Sequence, residues 1–164
     1  MMDAHAQPLA AGKYFYDDLR VGNFFRTGRI TVTEAHIVAF AGISGDFFDV
    51  HMDDEFAREQ GFPGRIAHGL LGLCLIDGLK NRAEVQLQAV ASLGWKEWSF
   101  KAPIVAGDNI GATIFVDDMR LTSSGERGIV QLKFDVRKGD GITVQSGCNV
   151  LLMRRSERAK RLCD

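Results

Sequence analysis

The sequence predicts an α+β domain in which one helix lies against one face of an antiparallel sheet. Three observations carry this expectation. Ile66 to Leu79 is the one sustained apolar run at helical spacing. Four strand-like segments follow it, separated by short turns. Glycine supplies 18 of the 164 residues, above the ordinary ~7%, which suits turns and close backbone contacts better than a helical bundle.

The elements follow in chain order. Residues 1–13 are small and polar and are expected to form a flexible N-terminal arm, ahead of a single domain over 14–153. Tyr14 to Phe25 is rich in aromatics and valine, consistent with an irregular strand across Val21–Phe25. Thr31 and Glu34 have capping-box spacing, and Ala35, Val38, Ala39 and Ile43 recur at helical intervals, so a helix is expected from about Thr33 to Ala41. Ser44-Gly45-Asp46 ends it. A second short helix begins at Asp53-Asp54-Glu55, where carboxylates favour a first turn, and Gly61, Pro63 and Gly64 break it. Ile66 to Leu79 leaves almost no polar face, interrupted by His68 and Asp77, and is expected to be a buried helix about 21 Å long. Strands are expected over Ala89–Phe100, Asn109–Leu121, Gly128–Arg137 and Ile142–Met153. Turns at Ala106–Asp108, Ser123–Gly125 and Lys138–Gly141 imply an antiparallel meander. The basic stretch within 154–164 reads as a solvated tail.

Composition narrows the function classes. Hydrophobic residues at 46% and charged residues at 25% are ordinary for a globular domain. Twenty basic against 21 acidic residues give a net charge of −1, which argues against a nucleic-acid partner. Cys74, Cys148 and Cys163 cannot all pair within one chain, and none lies in a CxxC, so a reducing compartment is the simpler expectation. The N-terminus lacks a secretory pattern, and the apolar stretch Gly69–Ile76 is too short to cross a bilayer. A cytoplasmic protein with no membrane partner is therefore expected. The glycines match neither phosphate-binding nor dinucleotide-binding motifs, which disfavours nucleotide chemistry.

Two constellations could carry chemistry. In Ser44–His51, Asp46 and His51 stand five positions apart on a loop. A carboxylate and an imidazole near one point can share a water as acid and base. Each also has a plain reading, Asp46 as a turn former and His51 as a hydrogen-bonded loop histidine. In Phe62–Gly69, the chain enters the apolar helix, whose first-turn N–H groups can hold a developing oxyanion. Gly69 would admit a ligand close to the backbone, or only permit tight helix–sheet contact. His68 could equally cap the helix or bond within the core. A metal site from Asp46, Asp49, His51 and Asp53 matches no recognised ligand motif, so no metal is expected.

Ser44-Gly45-Asp46, His51-Met-Asp53, Phe56-Ala57 and Phe62-Pro-Gly-Arg-Ile66-Ala67-His68-Gly69-Leu70, in this order and spacing, resemble the MaoC-like dehydratases of the hot-dog fold, which include the (R)-specific enoyl-CoA hydratases. Phe100–Asp108 resembles that family's strand-and-turn segment, and together the resemblance spans about residues 14–153. It implies a long central helix wrapped by a curved antiparallel sheet, a homodimer or higher homo-oligomer with the acyl-CoA site at the subunit interface, and no cofactor beyond the coenzyme A of the substrate. Carried over, Asp46 and His51 form a water-holding dyad and the Gly69 N–H becomes the oxyanion donor. Ser44, Phe47, Phe48, Ala67, His68 and Cys74 are the expected substrate-binding residues. Phe47 and Phe48 either line an acyl tunnel or pack against the helix, and Cys74 falls near where the family often has a serine that steadies the aspartate. The chain departs from the usual Asp-x-Asn-Pro-x-His at Phe48 and Asp49. The implied activity is hydration of an enoyl-CoA, or dehydration of a 3-hydroxyacyl-CoA. A hot-dog thioesterase and a non-catalytic acyl-CoA-binding module are the rival readings.

Overall fold

The structure is a computed structural model that describes residues 6–157. Chain order is β1 (Gln7–Pro8), β2 (Gly12–Tyr14), a 3-10 turn at Tyr16–Asp18, β3 (Asn23–Arg26), β4 (Ile30–Thr31), α1 (Glu34–Ser44), α2 (Asp49–Met52), α3 (Asp54–Glu59), α4 (Gly69–Asn81), β5 (Val85–Leu87), β6 (Ala89–Phe100), β7 (Asn109–Leu121), β8 (Arg127–Lys138) and β9 (Thr143–Arg154). The main sheet runs β1-β3-β7-β8-β9-β6, with β4 also on β7. The α+β expectation therefore holds, with α4 laid across a largely antiparallel sheet.

The alternation of apolar residues explains this layering. Along β8, Val130, Leu132, Phe134 and Val136 all point into the core at 1% exposure or less, while the residues between them are more open. Phe134 sits under Trp95 and Trp98, with ring centroids 5.4 and 5.6 Å away. Facing them, α4 buries Leu71, Gly72, Ile76, Leu79 and Lys80. A Cβ on Gly72 would come within 2.3 Å of the Gln145 side-chain nitrogen, so the helix lies as close to the sheet as a bare backbone allows.

Several expectations change. The meander covers β7-β8-β9 only: β6 skips β7 and pairs with β9, because β3 and β4 occupy the other side of β7. The long helix begins at Gly69 rather than Ile66, since Ile66 bridges to Val105 and the Ala67 N–H bonds the Ile104 carbonyl, holding this stretch extended. Nor is it buried all round. Leu70 is 61% exposed and Cys74 and Gly78 share that open side, because one sheet covers one face only. The α1 cap is Thr33 with His36, not Thr31 with Glu34. In the segment read as a loose arm, β1 pairs with β3 and β2 with β5. Residues 1–5 and 158–164, including Cys163 and most of the basic tail, lie outside the described residues. Among the described residues no helix is long and apolar enough to cross a membrane.

Phe134→Ala removes the ring on which both tryptophans rest. It is expected to cost about 3–5 kcal/mol, read as a lower urea midpoint. A shift under about 1 kcal/mol would mean that the core does not close on this residue.

Candidate active site

The site is built where α1 stops. Gly45 takes φ 78° and returns its N–H to the Ala41 carbonyl at 2.8 Å, a left-handed cap that glycine adopts freely. Ser44 Oγ donates to the Phe40 carbonyl (2.8 Å) and accepts from the Asp46 N–H (3.2 Å). This serine thus shapes the turn that throws Asp46 outward. Asp46 then accepts the Phe48 N–H at 3.3 Å.

His51 arrives on α2, 9% exposed. Its Nδ1 lies 2.7 Å from the Ile66 carbonyl. A carbonyl only accepts, so Nδ1 carries the proton and Nε2 presents a lone pair. That Nε2 is 3.9 Å from Asp46 Oδ2. The gap exceeds a direct hydrogen bond, yet one water can touch both atoms. Beneath His51 the His68 ring stacks at 3.8 Å with planes 28° apart, and Phe40 flanks it at 5.0 Å. His68 Nε2 donates to the Asp46 carbonyl at 2.9 Å, while its Nδ1 is buried with no partner among the described residues. Burial pushes the His51 pKa below its ordinary value, and proximity to His68 adds to this against the pull of the Ile66 carbonyl and Asp46.

A cavity of about 330 Å³ opens beside His51, between the stretch leading into α4 and the β6–β7 link. Phe62, Ile66, Pro103 and Ile104 make apolar walls; Gly69 and Gln145 supply polar atoms. Gly69 is the first residue of α4, so its N–H has no acceptor within the helix. A Cβ there would sit 2.5 Å from the Phe100 ring. Gln145 is 2% exposed; it donates to the Gly69 carbonyl (2.9 Å) and accepts from Trp98 Nε1 (3.2 Å).

Of the expected site residues, His51, Gly69 and Ala67 line this one cavity; Asp46 lies outside its lining, 3.9 Å from His51, with His68 stacked on His51. Phe48 lies edge-on to His51 and Phe56, but both Phe47 and Phe48 are more than half exposed and lie outside the cavity lining. Cys74 is exposed a turn further along α4, away from that lining and with no bond to Asp46. Gln145 and Phe100 were not singled out in sequence. An inward-facing amide on a core strand is the signal that could have found Gln145.

Donor atoms of Asp46, His51 and His68 lie within 4.8 Å of one another. Stacked imidazoles aim their in-plane lone pairs side by side, not at one ion ~2.0–2.1 Å from each, so the arrangement suits proton transfer better than metal ligation. Asp53, the other carboxylate of a conceivable metal set, instead caps α3 through the Glu55 and Phe56 N–H groups.

Residues 20–137 match the family model described as the MaoC-like domain. The chain is 39% identical over 98 residues to Protein MaoC of Klebsiella aerogenes, covering 60% of this chain and 29% of that protein. It is 30% identical over 106 residues to the (R)-specific enoyl-CoA hydratase of Rhodospirillum rubrum, covering 63% and 69%. A Mycobacterium tuberculosis structure described as a double hot-dog fold superposes with a TM-score of 0.77 at 22% identity, over 91% of this chain and 46% of that one. That likeness bears on the fold, and this chain matches about one half of that molecule. The chain spans less than half the length of several curated relatives it matches.

The geometry predicts that His51, followed by NMR of its ring protons, titrates below the ordinary histidine value of 6.5. Since the fold favours the neutral ring, this group's contribution to stability is full above the unfolded-state pKa and is lost as pH falls from there toward the folded-state value. A midpoint at or above the ordinary value would overturn the reading of His51 as a buried, neutral base.

Proposed function

The chain belongs to the MaoC-like domain family, and from that premise we propose that it is a hydro-lyase that adds water to an enoyl-CoA thioester or removes it from the 3-hydroxyacyl-CoA. One observation carries the reading: Asp46 stands 3.9 Å from His51, which lines a cavity together with Gly69, the first residue of α4. The relatives described as (R)-specific enoyl-CoA hydratase and mesaconyl-CoA hydratase support it.

In the hydration direction, a water held between Asp46 and His51 attacks the β-carbon. Its oxygen bonds to that carbon while the π electrons move toward the thioester, making an enolate. The Gly69 N–H at the positive end of α4 stabilises the enolate oxygen. The dyad accepts the water's proton, and the α-carbon takes a proton to complete the addition. The unprotonated Nε2 of His51 and the outward Asp46 carboxylate are both able to accept. The coenzyme enters only as part of the substrate.

The working unit is a homodimer. Among the described residues strand β6 is an edge, paired with β9 alone, and it exposes Val90, Leu93 and Phe100. An open edge of twelve residues with apolar side chains favours pairing with a second copy.

Loss of the conjugated enoyl absorbance on adding trans-2-enoyl-CoA tests the activity. Asp46→Asn and His51→Ala are each expected to lower kcat by about 10²–10⁴-fold with unchanged circular dichroism. Near-full activity in either variant overturns the dyad, and release of free coenzyme A thiol would make the protein a thioesterase.

A further inference from the structure

Gln145 is a buried carboxamide to which the chemistry above gives no part. It stands on the same face of β9 as Gly147, Asn149, Leu151 and Met153, all of them buried. At 2% exposure it is nearly cut off from solvent, and burying a carboxamide is costly unless its polar atoms are bonded. Its partners fix which way round it sits. The Trp98 indole N–H can only donate, so the atom 3.2 Å from it is the amide oxygen. The Gly69 carbonyl can only accept, so the atom 2.9 Å from it is the amide nitrogen. A flipped amide would set donor against donor and acceptor against acceptor.

Two close approaches hold this arrangement. A Cβ on Gly72 would crowd the amide nitrogen, so the bare turn of α4 is what admits it. A Cβ on Gly147 would come within 2.6 Å of the Trp98 ring, so the indole reaches the amide only over a glycine. The side chain is therefore locked from β6 on one side and from α4 on the other.

A primary amide carries two N–H groups on one nitrogen, and the Gly69 carbonyl takes one. Among the described residues nothing accepts the other. Gln145 lines the cavity of about 330 Å³ beside His51, where, apart from His51 and Lys101, the other lining side chains are apolar. With the oxygen spent on Trp98 and one N–H spent on the helix, the cavity is the space left for the second. The same nitrogen bonds the carbonyl of the residue whose own N–H is the free donor of the first turn. The two free donors thus belong to adjoining points of one wall.

From this we propose that Gln145 is a catalytic residue whose second N–H donates to the thioester oxygen beside the Gly69 N–H, making a two-donor site for the enolate. This rests on the hydro-lyase reading above and deepens it. A carbonyl oxygen has two lone pairs, and the enolate oxygen carries more charge, so both bonds strengthen as the water adds. No proton leaves Gln145 and no covalent bond to it forms. A donor locked on both sides needs no reorientation when charge develops, and its apolar surroundings raise its strength.

Binding and turnover test it separately. Butyryl-CoA is saturated and cannot take up water, so NMR of isotope-labelled wild-type protein reads the contact alone. The Gln145 amide is identified by its nuclear Overhauser contact with the Trp98 indole proton. On saturation with butyryl-CoA its free N–H proton is expected to move downfield while the one bonded to Gly69 stays. With trans-2-enoyl-CoA, Gln145→Met is expected to lower kcat by about 10²–10³-fold with KM changed less than about threefold. A free proton that stays in place in the bound protein overturns the inference and leaves the hydro-lyase reading standing, and this measurement decides where Gln145→Met does not fold. A folded Gln145→Met with near-full kcat, or with a raised KM alone, overturns it too. A shifted proton in a protein that turns over no enoyl-CoA would sink the hydro-lyase reading and leave the thioester donor standing. Failure of every saturated chain from butyryl- to octanoyl-CoA to bind would overturn both.

Discussion

The close approach of α4 to the sheet is the constraint on which the rest depends. Two glycines permit it: a side chain at Gly69 would strike the Phe100 ring, and one at Gly72 would strike Gln145. The helix axis can then lie near enough for Gln145, from β9, to bond the carbonyl of the first helical residue. That bond fixes the direction of the first turn and hence of its free N–H groups. A larger residue at either position would lift the helix, and the donor at Gly69 would move with it.

A second constraint joins the loop to this helix. His51 is fixed by the Ile66 carbonyl, and the Ile66 N–H bonds back to the Val50 carbonyl, so loop and helix entrance are tied in both directions. His68, the residue before α4, holds the Asp46 carbonyl and stacks on His51. Asp46, His51 and the start of α4 at Gly69 are thus tied together by short-range bonds, and no long lever separates them. This is the kind of first-turn preorganisation that makes a fixed donor effective against developing charge.

Much of this was legible in sequence, for identifiable reasons. Strand limits for β6 and β7 could be read because apolar runs there end at glycine- and aspartate-rich turns. The order of strands could not, because pairing of β6 with β9 depends on β3 and β4 claiming the edge of β7, a long-range competition that local pattern does not encode. Asp46, His51 and Gly69 were visible as chemistry-bearing types at a loop and a helix start. Gln145 was hidden because a single amide within a valine-rich strand resembles a surface residue until the pleat is known. The outward face of α4 departs from expectation for a related reason: Leu70 and Leu73 are apolar, so periodicity alone counts them as core, whereas a single sheet can cover only one side of a helix.

The same helix offers opposite electrostatics at its two ends, and the sequence uses each. The N-terminus, with glycine and no acidic residue in its first turn, leaves backbone donors free for negative charge. The C-terminal turn carries Lys80, whose ammonium is favoured by the negative end of the helix dipole as well as by Asp77. A hydrocarbon side chain would fill that buried position without the desolvation cost, so core packing does not require a lysine there. The Trp95 ring, 5.8 Å from Nζ, further adapts an otherwise apolar strand to the charge. Dipole, carboxylate, carboxamide and aromatic face all converge on one cation. Together they offset the desolvation cost of burying that charge.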